Sequence, residues 1–483
     1  MTLLHILVFS LSALVIGWLV PMRWRVWILL IASLIAIYWL QPSTPIRRLD
    51  FWLPTCSVLL TIFVWAVTRS RQVNPWRSTL AGVLCILGVI LLVGLTRYLD
   101  VLCCLTPTPP PELWRILIGL GIALAASSIV YLSPARRWLP TFTIALILGL
   151  FLVLKTAPLA QAASAGLRSL TGQQVDLASA LDLPWLGFSY LAFRLLHVLR
   201  DYQGGKLPEY SLGEFITYAI FFPTYTAGPI DRSQRFMGDL RLTAAPTSLL
   251  EQRQQKITHL IQGSQRIFVG VFKKFVLADS LALIALNEQN AAQTSSTLWM
   301  WILLYAFALR IYFDFSGYTD IAIGLGRLMD FNLPENFNRP YLKQNLTAFW
   351  NSWHMTLAQW FRAYFFNPFT RALRSSSVTL PVWSVILIGQ LSTMALIGLW
   401  HGVTWNFFIW GVWHGLGLFI HNRWADWVRP RFDPPSETRP LLKGVVQFGG
   451  WLLTFNFVAL GWVWFALPSV SLSVSVFQKL AGF

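Results

Sequence analysis

Of seven histidines in this chain, His401 and His354 stand in the surroundings best suited to chemistry. His401 lies in Gly398-Leu-Trp-His-Gly402, between two strongly apolar runs and with no acid or base near it in sequence. An ionisable group in such a run is costly unless it faces protein or a water-filled cavity. His354 lies in Ala348-Phe-Trp-Asn-Ser-Trp-His-Met-Thr-Leu-Ala-Gln-Trp-Phe-Arg362, where aromatics recur at helical spacing. Arg362 follows eight residues on, on nearly the same helical face. That segment reads either as an amphipathic interfacial helix or as a helix projecting His354 and Arg362 into a cavity. A neutral imidazole accepts a hydroxyl proton, and a guanidinium holds a phosphate or a developing negative charge. Spacing leaves both readings open.

The remaining ionisable groups have plainer readings. His414 repeats the Trp-His-Gly triplet thirteen residues after His401. Along one continuous helix that is a turn of about 140° and an advance of roughly 20 Å, so the two cannot share a small site in that way. His414 and His421 share a face about 11 Å apart, too far for one metal ion, and read as interfacial or packing residues. His197, three residues after Arg194, suggests a structural hydrogen bond, whereas His5 in the first apolar run and His259 in a polar stretch suggest no site. Arg310 and Asp314 are one turn apart and suit an ion pair inside an apolar segment. Gly324 and Gly326 suit close helix packing. Zinc spacing is missing, Cys56 and Cys85 lie in apolar runs, and Cys103 and Cys104 are adjacent, so no metal site and no disulfide framework is expected.

The elements that must position these groups are membrane helices. The chain has 483 residues, 55% hydrophobic and only 12% charged, which makes a cytosolic globular enzyme a poor reading. Its net charge of +17 fits basic loops that orient membrane helices and does not require nucleic acid, and its 25 Trp fit interfacial belts. Apolar stretches long enough to cross a core roughly 30 Å thick are expected at Leu3–Val20, Trp24–Leu40, Phe51–Val67, Leu80–Thr96, Leu113–Leu132 and Thr141–Leu154. They form an N-terminal block, residues 1–160. Arg23/Arg25, Arg69/Arg71/Arg77 and Arg136/Arg137 fall in alternate loops; if those loops are cytoplasmic, the N-terminus faces outward. The first run lacks the positive charges that precede a cleavable signal, and reads as a retained helix.

From residue 161 to 483 the apolar segments shorten and carry Pro, Gly and ionisable residues, so the chemistry is expected there. Gly228 and Pro229 in Thr226-Ala-Gly-Pro-Ile-Asp-Arg232 break one segment, and a polar stretch follows from Ser233 to Gln265 that suits the membrane surface. Later spans are expected at Leu298–Phe313, Leu380–Leu399, Trp405–Ile420 and Val445–Leu467, with a loop from Arg429 to Pro440.

Several of these strings together resemble the membrane-bound O-acyltransferase family. They are Tyr312-Phe-Asp-Phe-Ser-Gly-Tyr-Thr-Asp-Ile-Ala-Ile-Gly-Leu-Gly326, Leu333-Pro-Glu-Asn-Phe-Asn338, Phe349-Trp-Asn-Ser-Trp-His354 and Leu399-Trp-His-Gly402. Phe221-Phe-Pro223, Ala227-Gly-Pro-Ile-Asp-Arg232 and Leu460-Gly-Trp-Val-Trp-Phe465 extend the likeness over roughly the last 300 residues. Within the family the chain is similar to the bacterial branch of alginate O-acetyltransferases and of the D-alanyl transfer protein of teichoic acids. Two departures stand out: Arg362-Ala-Tyr364, where many relatives have Arg-Asp-Tyr and so an acidic residue at the place of Ala363, and Phe465-Ala-Leu, where relatives often have Phe-Arg-Ala.

The resemblance implies an all-α polytopic membrane protein whose helices, some short or re-entrant, surround a central tunnel, placed in the inner or plasma membrane. It implies His401 as the principal catalytic histidine and His354 as a second active-site histidine; Arg362, Asp314, Asn336 and Trp400 are expected beside them as substrate-binding or supporting residues. The implied reaction moves an acyl group, acetyl first among candidates, from a cytosolic thioester to a hydroxyl of an extracytoplasmic polysaccharide or envelope glycan. D-alanyl transfer from a carrier protein to teichoic acid is the alternative within the family. A transporter of a glycan or lipid intermediate is the alternative of another class, since broken helices and buried charges also mark transport sites. No bound cofactor is implied. The thioester, acetyl-coenzyme A or an acylated carrier protein, is a co-substrate, and the expected partners are that donor, the glycan acceptor, an extracytoplasmic acyltransferase and membrane lipid.

Overall fold

Every element in the computed structural model is helical among the described residues, which are all except 70–75, 100–104, 133–136, 242–248, 378–379 and 428–439. Cys103, Cys104, Arg71, Arg136 and the segment 429–439 lie outside them. Among the described residues, seven helices are long and apolar enough to cross a membrane, or eight if the bent pair Leu139–Lys155 and Ala157–Leu170 counts as one span. The chain is therefore an all-α polytopic membrane protein. The chain divides into two compact units, Met1–Ile267 with Ile321–Pro334, and Phe268–Asp320 with Glu335–Phe483.

In the first unit the helices Leu3–Leu19, Met22–Leu40, Leu49–Thr68, Trp76–Leu95, Leu113–Leu132 and Leu139–Lys155 match the expected apolar runs to within a few residues. The outer ones keep apolar side chains on the surface, with Leu92 65% and Ile122 67% exposed, as lipid-facing helices do. The central one, Leu49–Thr68, is different. Its hydroxyls Thr55, Ser57, Thr61 and Thr68 are buried and bond back to carbonyls four residues earlier, so no polar group is stranded. Asp50 in its first turn accepts from the backbone N–H and the hydroxyl of Thr108, both at 2.8 Å. The bent pair turns by 95° at Thr156, where Pro158 opens the next helix.

The expected polar stretch from Ser233 forms the helices Ser233–Arg241 and Leu249–Val271. His197 is buried and has the structural role its spacing suggested: its ring nitrogens lie 3.3 Å from Ser233 Oγ and 3.2 Å from Tyr218 Oη. His259, in the polar stretch, has a carboxylate partner, its Nδ1 lying 2.8 Å from Asp330 Oδ1. Gly324 packs as expected, since a Cβ there would stand 2.7 Å from the Gly263 carbonyl oxygen.

The second unit holds the chemistry-bearing segments. Its longest helices are Val382–His401, Trp405–Trp427 and Pro440–Ala466, together with Thr297–Leu328 as far as Asp320. Val382–His401 and Trp405–Trp427 form a hairpin joined by three residues, Gly402 to Thr404, and its contact line is cut by glycines. A Cβ on Gly411 would collide with the Met394 carbonyl oxygen and stand 2.8 Å from Ala395 Cα, and one on Gly398 would collide with the Phe407 carbonyl. Both obstacles are backbone, which cannot rotate away. Gly411→Ala should therefore lower the midpoint of thermal unfolding in detergent, by the equivalent of about 1–3 kcal/mol for an overpacked interior. An unchanged midpoint would show that the hairpin has slack at this line.

Candidate functional site

The segment around His354 is not the single helix that its aromatic spacing suggested. Leu346–Trp350 stops, and a new helix, Met355–Phe361, starts with His354 as its N-cap at φ 44°, a left-handed conformation. Asn336 causes this break. Its backbone carbonyl accepts from the Met355 N–H at 2.9 Å, and its side-chain Oδ1 accepts from the Thr356 N–H at 3.2 Å and the Thr356 hydroxyl at 2.8 Å. Asn336 is fully buried, so these bonds are shielded from water.

The same amide fixes the protonation pattern of His354. The Thr356 backbone N–H can only donate, so Asn336 must present its oxygen, and His354 Nδ1, 3.1 Å from that oxygen, must carry the proton. His354 Nε2 is then a bare lone pair. It is buried and has no hydrogen-bond partner among the described residues, as is Asn336 Nδ2 beside it. Burial also pushes the His354 pKa down, to about 3, which keeps the ring neutral at physiological pH. A buried, neutral, hydrogen-bond-accepting nitrogen is what a reacting hydroxyl needs for orientation or deprotonation.

Trp400 connects this group to the second histidine. Its ring centroid is 6.0 Å from that of His354 and 4.5 Å from that of His401. His401 is the last residue of Val382–His401 and is half-buried, with Phe465 edge-on at 4.8 Å, Trp410 edge-on at 5.7 Å and Phe407 stacked at 5.8 Å. The helix end leaves the ring partly exposed, and the aromatics limit its rotation. Phe315 stands edge-on to His354 at 4.7 Å.

The structure thus brings His354, Asn336, Trp400 and His401 together. It places the other two candidates elsewhere in the contact pattern. Arg362 does not share a face with His354, because the break at His354 resets the helix; it donates to Asn351 Oδ1 at 2.8 Å and opens the π-helical turn Arg362–Phe366, which contains Ala363. Asp314 does not pair with Arg310. Its partner is Lys274, from the π-helical segment Phe272–Ala278, which presents an ammonium directly to the carboxylate. The neighbouring Lys273 pairs with Asp320 at 2.7 Å. Phe315, Phe465, Phe407 and Trp410 were not singled out as site residues, although Phe465 and Phe315 sit in strings that carried the family resemblance. No group of His, Cys, Asp and Glu suited to a metal ion occurs among the described residues.

With this geometry in view, the comparisons with known proteins are consistent. The family model described as MBOAT, membrane-bound O-acyltransferase family, matches residues 150–460. The teichoic acid D-alanyltransferase of Streptococcus thermophilus is 34% identical over 249 residues, 50% of this chain and 58% of that protein. A probable alginate O-acetylase of Pseudomonas aeruginosa is 30% identical over 373 residues, 76% of this chain and 64% of that one. The peptidoglycan O-acetyltransferase of Helicobacter pylori is 32% identical over 279 residues, 56% of this chain and 48% of its own length. In each of the three, the match spans less than two thirds of the relative.

Proposed function

The chain belongs to the membrane-bound O-acyltransferase family, and from that premise we propose that it transfers an acyl group, acetyl in the first instance, from a cytosolic thioester to a hydroxyl of an extracytoplasmic polysaccharide or envelope glycan. One observation carries the reading: a buried, bare His354 Nε2 and the His401 imidazole flank the same Trp400 ring. In the proposed step the acceptor oxygen attacks the thioester carbonyl, a C–O bond forms and the C–S bond breaks. The hydroxyl proton passes to His401 and then to the departing thiolate, so the enzyme ends as it began. His354 Nε2 accepts a hydrogen bond from a second hydroxyl of the acceptor and so holds the reacting oxygen in line. Aromatic walls exclude water, which would otherwise hydrolyse the thioester.

The donor, acetyl-coenzyme A or an acylated carrier protein, would enter from the cytosolic side of the plasma membrane, and the acceptor from the other. An extracytoplasmic acyltransferase is a fitting partner. D-alanyl transfer is the second reading, favoured by the 34% identity to the streptococcal teichoic acid D-alanyltransferase. The test is to express the protein in a host lacking its chromosomal copy, release base-labile esters from surface glycans and identify them by mass spectrometry. Acetate above the deletion background is the expected result. D-alanine would replace the acetyl reading by the second one, and no ester above background would overturn both.

A further inference from the structure

The proposed reaction uses His354 and His401 and leaves the buried His414 unexplained. His414 is 0% exposed, on the helix Trp405–Trp427, with Trp410 at 5.0 Å, Trp350 edge-on at 5.2 Å and Phe457 edge-on at 5.8 Å. Neither His414 nitrogen has a hydrogen-bond partner among the described residues, and neither has the indole Nε1 of Trp350 or of Trp410. Four polar nitrogens therefore share one aromatic enclosure. A buried donor or acceptor left unmade is destabilising, so four of them without a function would be a heavy burden on a marginally stable fold.

Their chemistry defines what fits. A neutral imidazole offers one N–H and one lone pair, and the two indoles offer an N–H each. A hydroxyl oxygen matches the bare imidazole nitrogen and the two indoles: its O–H donates to the imidazole lone pair and its two lone pairs accept from the two indole N–H groups. A cation would face indole N–H donors, and an anion would find no positive charge. Gly461 lets the backbone close on one edge of the ring, because a Cβ there would stand 2.9 Å from His414 Nε2. The enclosure adjoins the candidate active site, since the Trp410 ring that meets His414 at 5.0 Å meets His401 at 5.7 Å.

We propose that His414, Trp350 and Trp410 form a buried binding site for a neutral hydroxyl, one aromatic ring removed from His401. The hydroxyl comes either from a resident water or from the glycan acceptor, and the second source rests on the acyl-transfer reading. His414→Phe separates the cases because it removes both ring nitrogens at similar volume. The full-length protein is melted in detergent without glycan, and surface esters of any acyl type are measured in cells beside wild type and His401→Ala.

A resident water predicts a melting point lowered by about 2 °C or more, with His414→Gln intermediate. An acceptor hydroxyl predicts a melting point unchanged or raised, with ester yield down at least tenfold. A melting point not lowered together with no loss of ester overturns the proposal, including the case in which wild type itself makes no ester; that last result also sinks the acyl-transfer reading, whereas ester from wild type alone spares it. Should His414→Phe fail to insert, Trp350→Phe removes one indole N–H from the same enclosure and is read by the same three outcomes.

Discussion

His401→Ala yields a protein that inserts and folds but forms almost no ester. Loss of a general base typically costs about 10² to 10⁴ in rate, and here the same group would also return the proton to the leaving thiolate. The fold should survive because His401 is a half-buried residue at the last position of its helix, where alanine is well tolerated and Gly402 already ends the turn. Its ring neighbours Phe465, Phe407 and Trp410 also pack on one another, with Trp410 and Phe465 5.4 Å apart and Phe407 and Phe465 5.1 Å apart, so that wall does not depend on the imidazole. Matched membrane levels and matched melting curves would establish that the variant is intact. Ester at the wild-type level would remove His401 from the chemistry. If purified wild type then failed to consume an acyl thioester in the presence of a hydroxyl acceptor, the transporter reading would gain instead.

How much of this was legible beforehand follows the physics of each feature. The spans were readable because a helix in lipid has to be apolar along some 20 residues, and that requirement is written locally; Leu113–Leu132 is recovered residue for residue. The break at His354 was not readable, because it is imposed by Asn336, eighteen residues upstream, whose amide oxygen replaces the helical partners of Thr356. Aromatic periodicity continues through the break and conceals it. The same limit applies to Asp314. A carboxylate and a guanidinium four residues apart predict an ion pair, but Lys274 approaches from a segment forty residues away. Cost made His401 a candidate, as an ionisable group in an apolar run, and the family resemblance gave it its catalytic role. What sequence could not supply was its packing against Phe407 and Trp410, which depends on the glycine line that lets Val382–His401 and Trp405–Trp427 touch.

The second large effect is expected at His354. Substituting alanine removes the lone pair on Nε2 but leaves Asn336 Oδ1 with both Thr356 donors, so the helix start at Met355 should persist. The expected result is a fall in transfer rate of about a hundredfold, seated in kcat, from loss of one positioning hydrogen bond in a buried site. His354→Asn, a side chain that tolerates the left-handed backbone and can still accept a hydrogen bond, should recover part of it. Acidification gives a second readout. Burial lowers the His354 pKa from 6.5 to about 3, so between these values the unfolded chain binds a proton that the folded chain does not. Stability from keeping this imidazole neutral is therefore complete above about pH 6.5 and is lost as pH falls toward 3. The melting point of wild type should drop more steeply over that interval than that of His354→Ala. Parallel curves would mean that the imidazole titrates normally in the fold, and that its Nε2 is open to solvent rather than reserved for the substrate hydroxyl.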